Sequence, residues 1–172
     1  MSVTQDDTGL KTERLWLRRI HGDDAAAIAE LLGNWNVAKM LAKPPYPYHL
    51  ADAQEFIERQ AGRENSADDC LFAIESDGAL AGVISLAPRD DGALVGYWLG
   101  EPYWGRGIAT EALGAIVDMF FEQSRKSTLH SGVLADNPAS LAVQRKVGFE
   151  VVGESEVHCR PRDQTLPHID TQ

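Results

Sequence analysis

The stretch YWLGEPYWGRGIATEAL, residues 97–113, places an aromatic strand end and three glycines directly before a helical pattern. The helix is predicted because Ala109, Leu113 and Ile116 recur at helical spacing. Consecutive backbone amides at a helix N-terminus attract an anion, and glycine lets that anion approach the backbone closely. We therefore predict an anion site at residues 105–109, where Arg106 adds a positive charge.

Two common phosphate-binding motifs do not fit this stretch. A P-loop needs a lysine followed by serine or threonine after its second glycine, and residues 97–113 contain no lysine. A dinucleotide-binding fingerprint needs a third small residue where Thr110 stands, in a turn that directly follows a parallel strand. The alternative that the loop only leads the chain into the helix stays open at this point.

Three short apolar runs lie upstream of the loop, at residues 70–75, 79–86 and 93–99. The turns between them, SDG and PRDDG, both contain Asp-Gly, which is a strong hairpin signal between alternating apolar runs. The centre of the chain is therefore predicted to be an antiparallel meander, and this argues against a doubly wound parallel fold.

Further strands and helices surround the meander. The predicted fold class is α/β (mixed α+β), with a mixed, mostly antiparallel sheet flanked by helices, in one domain over 1–172 with a flexible tail at 1–10. Upstream we predict a strand at 12–20, a helix capped by Asp23 or Asp24, a short helix near 36–42, a proline-rich loop at 43–50 and a helix from Ala51 to Gly62. Downstream we predict a strand at 128–135, a helix from Pro138 to Gly148 capped by Asn137, and strands at 149–157 and 166–172.

Composition narrows the classes of function. The 172 residues carry a net charge of −10, which argues against a nucleic-acid partner and favours cationic partners such as amines. The chain lacks an apolar stretch long enough to cross a bilayer, and its first residues do not look like a secretory signal, so the expected location is the cytoplasm. Cys70 and Cys159 fit neither a disulfide framework nor a metal cluster, so we expect reduced thiols and no metal.

These motifs resemble the GNAT N-acetyltransferase superfamily. Gly107 and Ala109 match the last two fixed positions of its acyl-CoA-binding motif, while Trp104 stands where Gln or Arg is usual. A tryptophan there is similar to the RimJ/RimL-like branch, the ribosomal-protein N-terminal acetyltransferases and their relatives. The stretches TERLWLR and ADNPASLAVQRKVGF are similar to the first strand and to the Asn-x-x-Ser helix of that branch, so the resemblance covers residues 11–154 in the expected order.

The resemblance implies transfer of the acetyl group of acetyl-CoA to a primary amine by direct attack. It implies a sheet splayed at its centre, where the backbone of Tyr97, Trp98 and Leu99 pairs with the pantetheine arm and one amide polarises the thioester carbonyl. It places the pyrophosphate on the loop that consists of Trp104, Gly105, Arg106, Gly107, Ile108, Ala109 and Thr110.

The resemblance also suggests which residues act on the leaving thiolate. Many relatives use a tyrosine on the last helix, but Gln144 occupies that position here and cannot act as an acid. Ser140 is then the candidate proton donor, and Asn137 contacts the pantetheine or fixes the turn. A serine in a first helical turn also serves as a capping residue, so this alternative stays open.

Both the base and the acceptor stay undetermined at this stage. The amine must lose a proton, and the candidate bases are Glu101, His130, Asp136, His158 and His168. The branch favours a protein N-terminal α-amino group as acceptor; an amino acid, a polyamine and an aminoglycoside are the alternatives. A non-catalytic acyl-CoA-binding module and a structural protein without a cofactor are the competing classes. Since the family often pairs its subunits, a homodimer is also an expectation.

Overall fold

The computed structural model describes residues 5–6 and 9–172. Five α-helices are found there: α1 Ala25–Leu32, α2 Trp35–Ala38, α3 Leu50–Gln60, α4 Ile108–Gln123 and α5 Pro138–Val147. The same residues contain nine strands: β1 Gln5–Asp6, β2 Gly9–Lys11, β3 Leu15–Arg18, β4 Cys70–Ser76, β5 Ala79–Pro88, β6 Gly92–Leu99, β7 Thr128–Leu134, β8 Val151–Cys159 and β9 Gln164–Thr171. They form one sheet in the order β1-β2-β3-β4-β5-β6-β7-β9-β8.

The sheet confirms the fold class predicted from the sequence. Across the described residues, β6 and β7 are the one parallel pair, and every other neighbouring pair is antiparallel. The predicted hairpin between β4 and β5 turns at Asp77 and Gly78, which both have positive φ angles of 51° and 78°. This is the backbone that a two-residue hairpin turn requires. The meander β4-β5-β6 is thus the centre of the sheet.

Several local predictions differ from the structure. The first predicted strand is shorter, since β3 covers Leu15–Arg18, and the short helix α2 begins and ends earlier than predicted. Residues Gln5–Asp6 and Gly9–Lys11, in the stretch expected to be a flexible tail, form β1 and β2. The rest of that expectation, for residues 1–4 and 7–8, lies outside the described residues.

The two faces of the sheet bury separate hydrophobic cores. One core contains Phe72 and Ile74 of β4 and packs under α4 and α5, while Leu71 and Ala73 of the same strand belong to the other core under α1 and α3. Because side chains of a strand point alternately to opposite faces, β4 contributes to both layers. Cys70 and Cys159 are buried free thiols, as predicted.

Arg18 organises a buried ion-pair network beside the start of α1. Its guanidinium donates two hydrogen bonds of 2.9 Å to the carboxylate of Asp24 and one of 2.5 Å to Glu75. Asp24 also accepts a hydrogen bond from the His21 amide at 2.8 Å. Burial alone would raise the pKa of Asp24, but the hydrogen bonds from Arg18 and His21 outweigh it and hold the pKa below its usual value. The predicted capping aspartate therefore serves mainly as the partner of Arg18.

Replacing Asp24 with alanine is expected to lower the free energy of unfolding by about 3 kcal/mol, because it leaves Arg18 buried with one partner fewer. The exposed neighbour Asp23 is the matched control, and Asp23→Ala is expected to change stability by less than about 0.5 kcal/mol. Denaturant unfolding of wild type and the two variants measures these changes. Equal stability of the two variants would contradict a stabilising role for the Asp24–Arg18 pair.

The stability difference between wild type and Asp24→Ala is expected to depend on pH. Because the pKa of Asp24 is lower in the folded than in the unfolded chain, its contribution is complete above the unfolded value of about 3.9 and is lost as the pH falls through the folded value. The difference between wild type and Asp24→Ala should stay constant from neutral pH to about pH 5 and shrink below about pH 4.

Candidate active site

The glycine loop leads into α4 with two left-handed residues. Gly105 and Gly107 have φ angles of 69° and 76°, and Gly107 is the N-cap of the helix. A side chain is strained at such angles, so glycine is required by the backbone at both positions. The first bond of the helix runs from the Glu111 amide to the Gly107 carbonyl at 3.1 Å. The amides before Glu111 in this first turn are therefore left for a partner outside the helix.

Arg14 lies over this helix start, a placement that sequence reasoning missed. Its guanidinium donates to the Arg106 carbonyl at 2.8 Å and to the Glu111 carboxylate at 2.7 Å, and half of its side-chain surface is exposed. A Cβ at Gly107 would lie 3.2 Å from an Arg14 nitrogen. Arg14 thus brings a guanidinium from the bend between β2 and β3 to the loop before α4. The TERL motif contains this arginine, but nothing in its local pattern indicates the contact.

The side chain of Glu111 anchors Arg14. Its carboxylate accepts hydrogen bonds from the Thr12 hydroxyl at 2.5 Å and from the Arg14 amide at 2.8 Å, in addition to the guanidinium. Partial burial raises the pKa of Glu111, but these three donors outweigh it and keep the pKa below its usual range. The carboxylate therefore stays ionised and holds Arg14 in place.

The other loop residues predicted from the sequence occupy different environments. Trp104 donates its indole N–H to the Leu99 carbonyl at 2.9 Å, which ties the loop back to the end of β6. The Arg106 side chain lies against the Tyr103 ring, 5.8 Å from its centroid, and 3.7 Å from Asp77. Ile108 is buried in the core, so only its backbone faces the loop side. Ala109 and Thr110 are half-buried in the first turn of α4.

An opening separates β6 from β7. Residues 92–94 of β6 pair with residues 128–130 of β7, and the backbone pairing of these two strands ends there. Residues 131–134 of β7 pair with β9 on the other edge of β7. The Ser131 hydroxyl still donates to the Val95 carbonyl at 3.0 Å. Beyond this bond the two strands diverge, while β6 stays paired with β5 as far as Leu99. The sheet is therefore splayed at its centre, as predicted.

The backbone of β6 presents polar groups to this opening. Gly92 exchanges backbone hydrogen bonds with Arg89, and Gly100 donates to the Ala81 carbonyl at 2.8 Å, so these two glycines face β5. Because bonding sides alternate along an antiparallel strand, Trp98 also faces β5, and the amides of Tyr97 and Leu99 point into the opening. Of the three strand residues predicted from the sequence, Tyr97 and Leu99 thus have their backbone on this side.

Asn137 and Ser140 lie across the opening from β6. Asn137 caps α5, as predicted, and its side-chain oxygen accepts the Ser140 amide at 3.2 Å. The Ser140 hydroxyl lies 2.8 Å from the Tyr97 hydroxyl, and the Ser140 carbonyl lies 3.3 Å from the same phenol. Burial raises the pKa of Tyr97, and the hydrogen bond with Ser140 offsets only part of that rise. The contact between the two hydroxyl groups was not predicted, because 43 residues separate them.

Gln144 belongs to a polar network in the core. Its amide nitrogen donates to the Ser131 hydroxyl at 3.0 Å, and its oxygen accepts the Thr171 hydroxyl at 2.6 Å. The residue is 1% exposed. These bonds connect α5 to β7 and β9, which gives the glutamine a structural role.

Four of the five candidate bases contact an ionisable side chain of the other kind, a histidine with an aspartate or an aspartate with an arginine. The hydrogen bond from Arg162 also holds the pKa of Asp136 below its usual range. His130 lies on the paired part of β7, away from the opening. The four pairs are His130 with Asp91, Asp136 with Arg162, His158 with Asp163, and His168 with Asp170.

Glu101 differs from the other four. It directly follows the open end of β6, and its carboxylate accepts hydrogen bonds from the side chains of Asn34 at 2.6 Å and Asn36 at 3.1 Å. A Cβ at Gly100 would come within 2.5 Å of the Leu31 side chain, so this glycine permits α1 to approach the turn closely. Glu101 is thus held by neutral donors at the junction of α1 and α2.

The hairpin between β8 and β9 packs against the end of α2. The Arg160 amide donates to the Ala42 carbonyl at 2.9 Å, and the Arg162 side chain donates to the Lys39 carbonyl at 2.7 Å. Arg162 also binds Asp136, just before α5, at 2.6 Å. These contacts join the hairpin, the α2 end and the start of α5 on one side of the opening.

Other possible sites lie elsewhere or are absent from the described part of the chain. Residues 5–6 and 9–172 contain no group of three or more His, Cys, Asp or Glu side chains placed to hold a metal ion. None of their helices has the length and apolarity to cross a membrane. A cavity of about 310 Å³ lies beside α3, lined by residues such as Arg19, Gln60 and Asn65, and touches none of the residues around the opening.

Comparison with known proteins agrees with this architecture. The acetyltransferase (GNAT) domain family matches residues 14–150. A putative ribosomal N-acetyltransferase of Bacillus subtilis is 28% identical over 152 residues, covering 83% of this chain and 81% of its own. The microcin C7 self-immunity acetyltransferase, solved with acetyl-CoA and AMP, superposes with a TM-score of 0.83 at 22% identity over 96% of both chains. RimL, a ribosomal alpha-N-protein acetyltransferase solved with coenzyme A, has a TM-score of 0.77 at 21% identity, with 92% and 94% covered.

Proposed function

The chain belongs to the GNAT acetyltransferase family, and we propose from this premise that it transfers the acetyl group of acetyl-CoA to the α-amino group of a protein N-terminus. The observation that carries the proposal is the joint placement of a splayed strand, a glycine-rich helix start and Arg14 around the open end of β6. Acetyl-CoA matches these features. Its pantetheine arm is an extended chain with two amide groups, which suits the splayed strand, and its pyrophosphate suits the helix start and Arg14.

The anionic end of acetyl-CoA binds at the start of α4 in this proposal. The amides of residues 105–110, the positive end of the helix dipole and the Arg14 guanidinium all favour a negative charge there. In a chain with a net charge of −10, such a local positive patch is needed to hold an anionic ligand. Arg14 joins the residues predicted from the sequence as a phosphate-binding side chain.

The pantetheine arm lies in the opening between β6 and β7. The Tyr97 and Leu99 amides and the Tyr97 carbonyl provide a strand edge for its two amide groups, as in peptide binding by β-augmentation. An amide on this edge also donates to the thioester oxygen, where negative charge develops during attack. Trp98 contributes less through its backbone because that backbone faces β5.

The acceptor amine approaches from the side of α1 and α2. Glu101 offers a negative charge at the open end of β6. Of the four alternatives, three are histidines that already contact an aspartate, and Asp136 is paired with Arg162. An ammonium group binds this carboxylate and loses its proton to it, directly or through water, before attack. Asn34 and Asn36 hold the carboxylate in position by their hydrogen bonds.

Ser140 assists departure of the thiolate. It lies across the opening from the strand that binds the thioester, and its hydroxyl is half-buried. The C–S bond breaks with its electron pair on sulfur, and the serine hydroxyl donates a hydrogen bond to that charge. The buried Gln144 amide cannot supply a proton, which makes the serine the main candidate on α5.

The choice of a protein N-terminus as the acceptor rests on the names of similar proteins. Proteins similar to this chain include a putative ribosomal N-acetyltransferase and the ribosomal protein acetyltransferase RimL, which favours a protein N-terminus. A small amine is the alternative acceptor, since a spermidine N(1)-acetyltransferase of Escherichia coli is also 26% identical over 147 residues. A cytoplasmic location, a homodimer and the lack of a nucleic-acid partner stay predictions.

Thermal denaturation with and without acetyl-CoA is the first test. At a concentration of about 100 times the dissociation constant, binding to the native state should raise the melting temperature by about 5 to 10 °C. Release of free thiol is then followed with a panel of N-terminal peptides, amino acids, polyamines and aminoglycosides. Turnover of a peptide supports the full proposal.

The other outcomes are equally informative. Turnover of a polyamine or an aminoglycoside alone would show that the acceptor is a small amine and not a protein N-terminus. A thermal shift without any turnover would favour a non-catalytic acyl-CoA-binding module. The absence of any thermal shift would overturn the acetyl-CoA site and favour a protein without this ligand.

A further inference from the structure

We propose that Tyr97 is a positioning residue for catalysis, whose phenol donates to Ser140 and turns the serine O–H toward the leaving sulfur. This inference rests on the proposed function. It gives a positioning role to a side chain of β6, whereas the proposed function uses only the backbone of that strand. It depends on the contact between two hydroxyl groups across the opening.

The distances rank the two acceptors that are available to the phenol proton. The Tyr97 hydroxyl lies 2.8 Å from the Ser140 hydroxyl and 3.3 Å from the Ser140 carbonyl. The shorter distance is the usual length of an O–H···O bond, and the longer one is beyond the normal range. The phenol proton therefore has its best acceptor in the serine hydroxyl.

The relative acidity of the two groups supports the same direction. A phenol is a stronger acid than an aliphatic alcohol and is the better donor when the two compete. Burial raises the pKa of Tyr97, so the phenol keeps its proton at neutral pH. Because the tyrosine donates, the proton of Ser140 is left free for another acceptor.

The backbone of Ser140 is fixed separately. The Asn137 side chain accepts the Ser140 amide at 3.2 Å at the start of α5. The remaining freedom of the serine is rotation about its side-chain bonds, which would turn the hydroxyl away from the opening. The hydrogen bond from Tyr97 opposes that rotation, so Asn137 and Tyr97 together orient the donor.

The step is balanced without a proton lost from either residue. The amine nitrogen forms a bond to the acetyl carbon, the carbon–sulfur bond breaks, and its electron pair leaves with the sulfur. The ammonium group loses one proton to Glu101, directly or through water, before attack, and the nitrogen loses a second proton to water after the N–C bond has formed. The thiolate is stabilised by the Ser140 hydrogen bond until solvent protonates it. The phenol of Tyr97 polarises this hydrogen bond and does not itself contact the reacting atoms.

The test compares Tyr97→Phe, Ser140→Ala and the double variant in steady-state thiol release with the accepted amine. Ser140→Ala should lower kcat about a hundredfold and Tyr97→Phe about tenfold, with little change in KM for acetyl-CoA. The double variant should be no slower than Ser140→Ala, because the phenol acts through the serine. Tyr48→Phe, which removes a phenol from the core on the other face of the sheet, is the matched control and should keep wild-type kcat.

Three results would overturn the inference. Full activity of Tyr97→Phe would show that the phenol does not matter, and additive losses in the double variant would show that it acts independently of Ser140. A raised KM with unchanged kcat would assign Tyr97 to binding. Failure of the proposed function is distinguishable, because wild type would then release no thiol with any amine, and the inference would fall with it.

Discussion

Gly107→Trp is expected to abolish the stabilisation of this protein by acetyl-CoA. The indole would occupy the start of α4, where the nearest atom to a Cβ is an Arg14 nitrogen at 3.2 Å. It would separate the pyrophosphate from the loop amides and from Arg14. Hydrogen bonds to a charged group are worth about 1.5 to 3 kcal/mol each, so losing two or more lowers affinity by at least about a hundredfold.

The control for Gly107→Trp must share its backbone strain. Gly62, after α3, has a φ of 78° and open space around its Cβ position, so Gly62→Trp carries a similar conformational penalty far from the loop. Thermal denaturation of both variants with and without acetyl-CoA separates the two effects. Both should melt earlier than wild type, and only Gly62→Trp should still respond to the ligand. A normal response of Gly107→Trp would contradict the pyrophosphate site.

Glu101→Gln is expected to lower kcat/KM for the amine about a hundredfold at neutral pH. Glutamine keeps the size of the side chain but removes the negative charge that attracts the ammonium group and takes its proton. Affinity for acetyl-CoA should stay unchanged, since Glu101 lies on the side of α1 and α2. Thiol-release kinetics with the accepted amine measure the loss, and Glu55→Gln on the exposed face of α3 is the matched control.

The pH profile of this variant separates a base from a binding group. An α-amino group has a pKa of about 7.7 to 8.0, so most of it is already neutral near pH 9.5. If Glu101 removes the proton, the defect of Glu101→Gln should shrink at that pH. A defect of constant size would instead assign Glu101 to substrate binding, and wild-type activity at neutral pH would remove it from the site.

Local features of the chain were predicted well because short-range physics decides them. The Asp-Gly turns, the start of α4 at the glycine loop and the Asn137 cap of α5 each depend on residues within a few positions of one another. The resemblance to the GNAT family supplied the splayed sheet, which periodicity alone does not reveal. Asp24 shows the limit of such local predictions, because its side chain binds the guanidinium of Arg18 and not the amides of the helix it was predicted to cap.

The sequence by itself determined the order of strands and helices from β3 onward, the glycine loop and the resemblance to the family, but not β1 and β2. Only the tertiary structure placed Arg14 over the loop, 92 residues before its partner Arg106, and joined Tyr97 to Ser140 across the opening. It also showed that Glu101 is held by the amides of Asn34 and Asn36. These contacts form because the folded sheet brings together segments that are far apart along the chain. The sequence around each partner does not indicate the other partner, because neither residue affects the local backbone of the other.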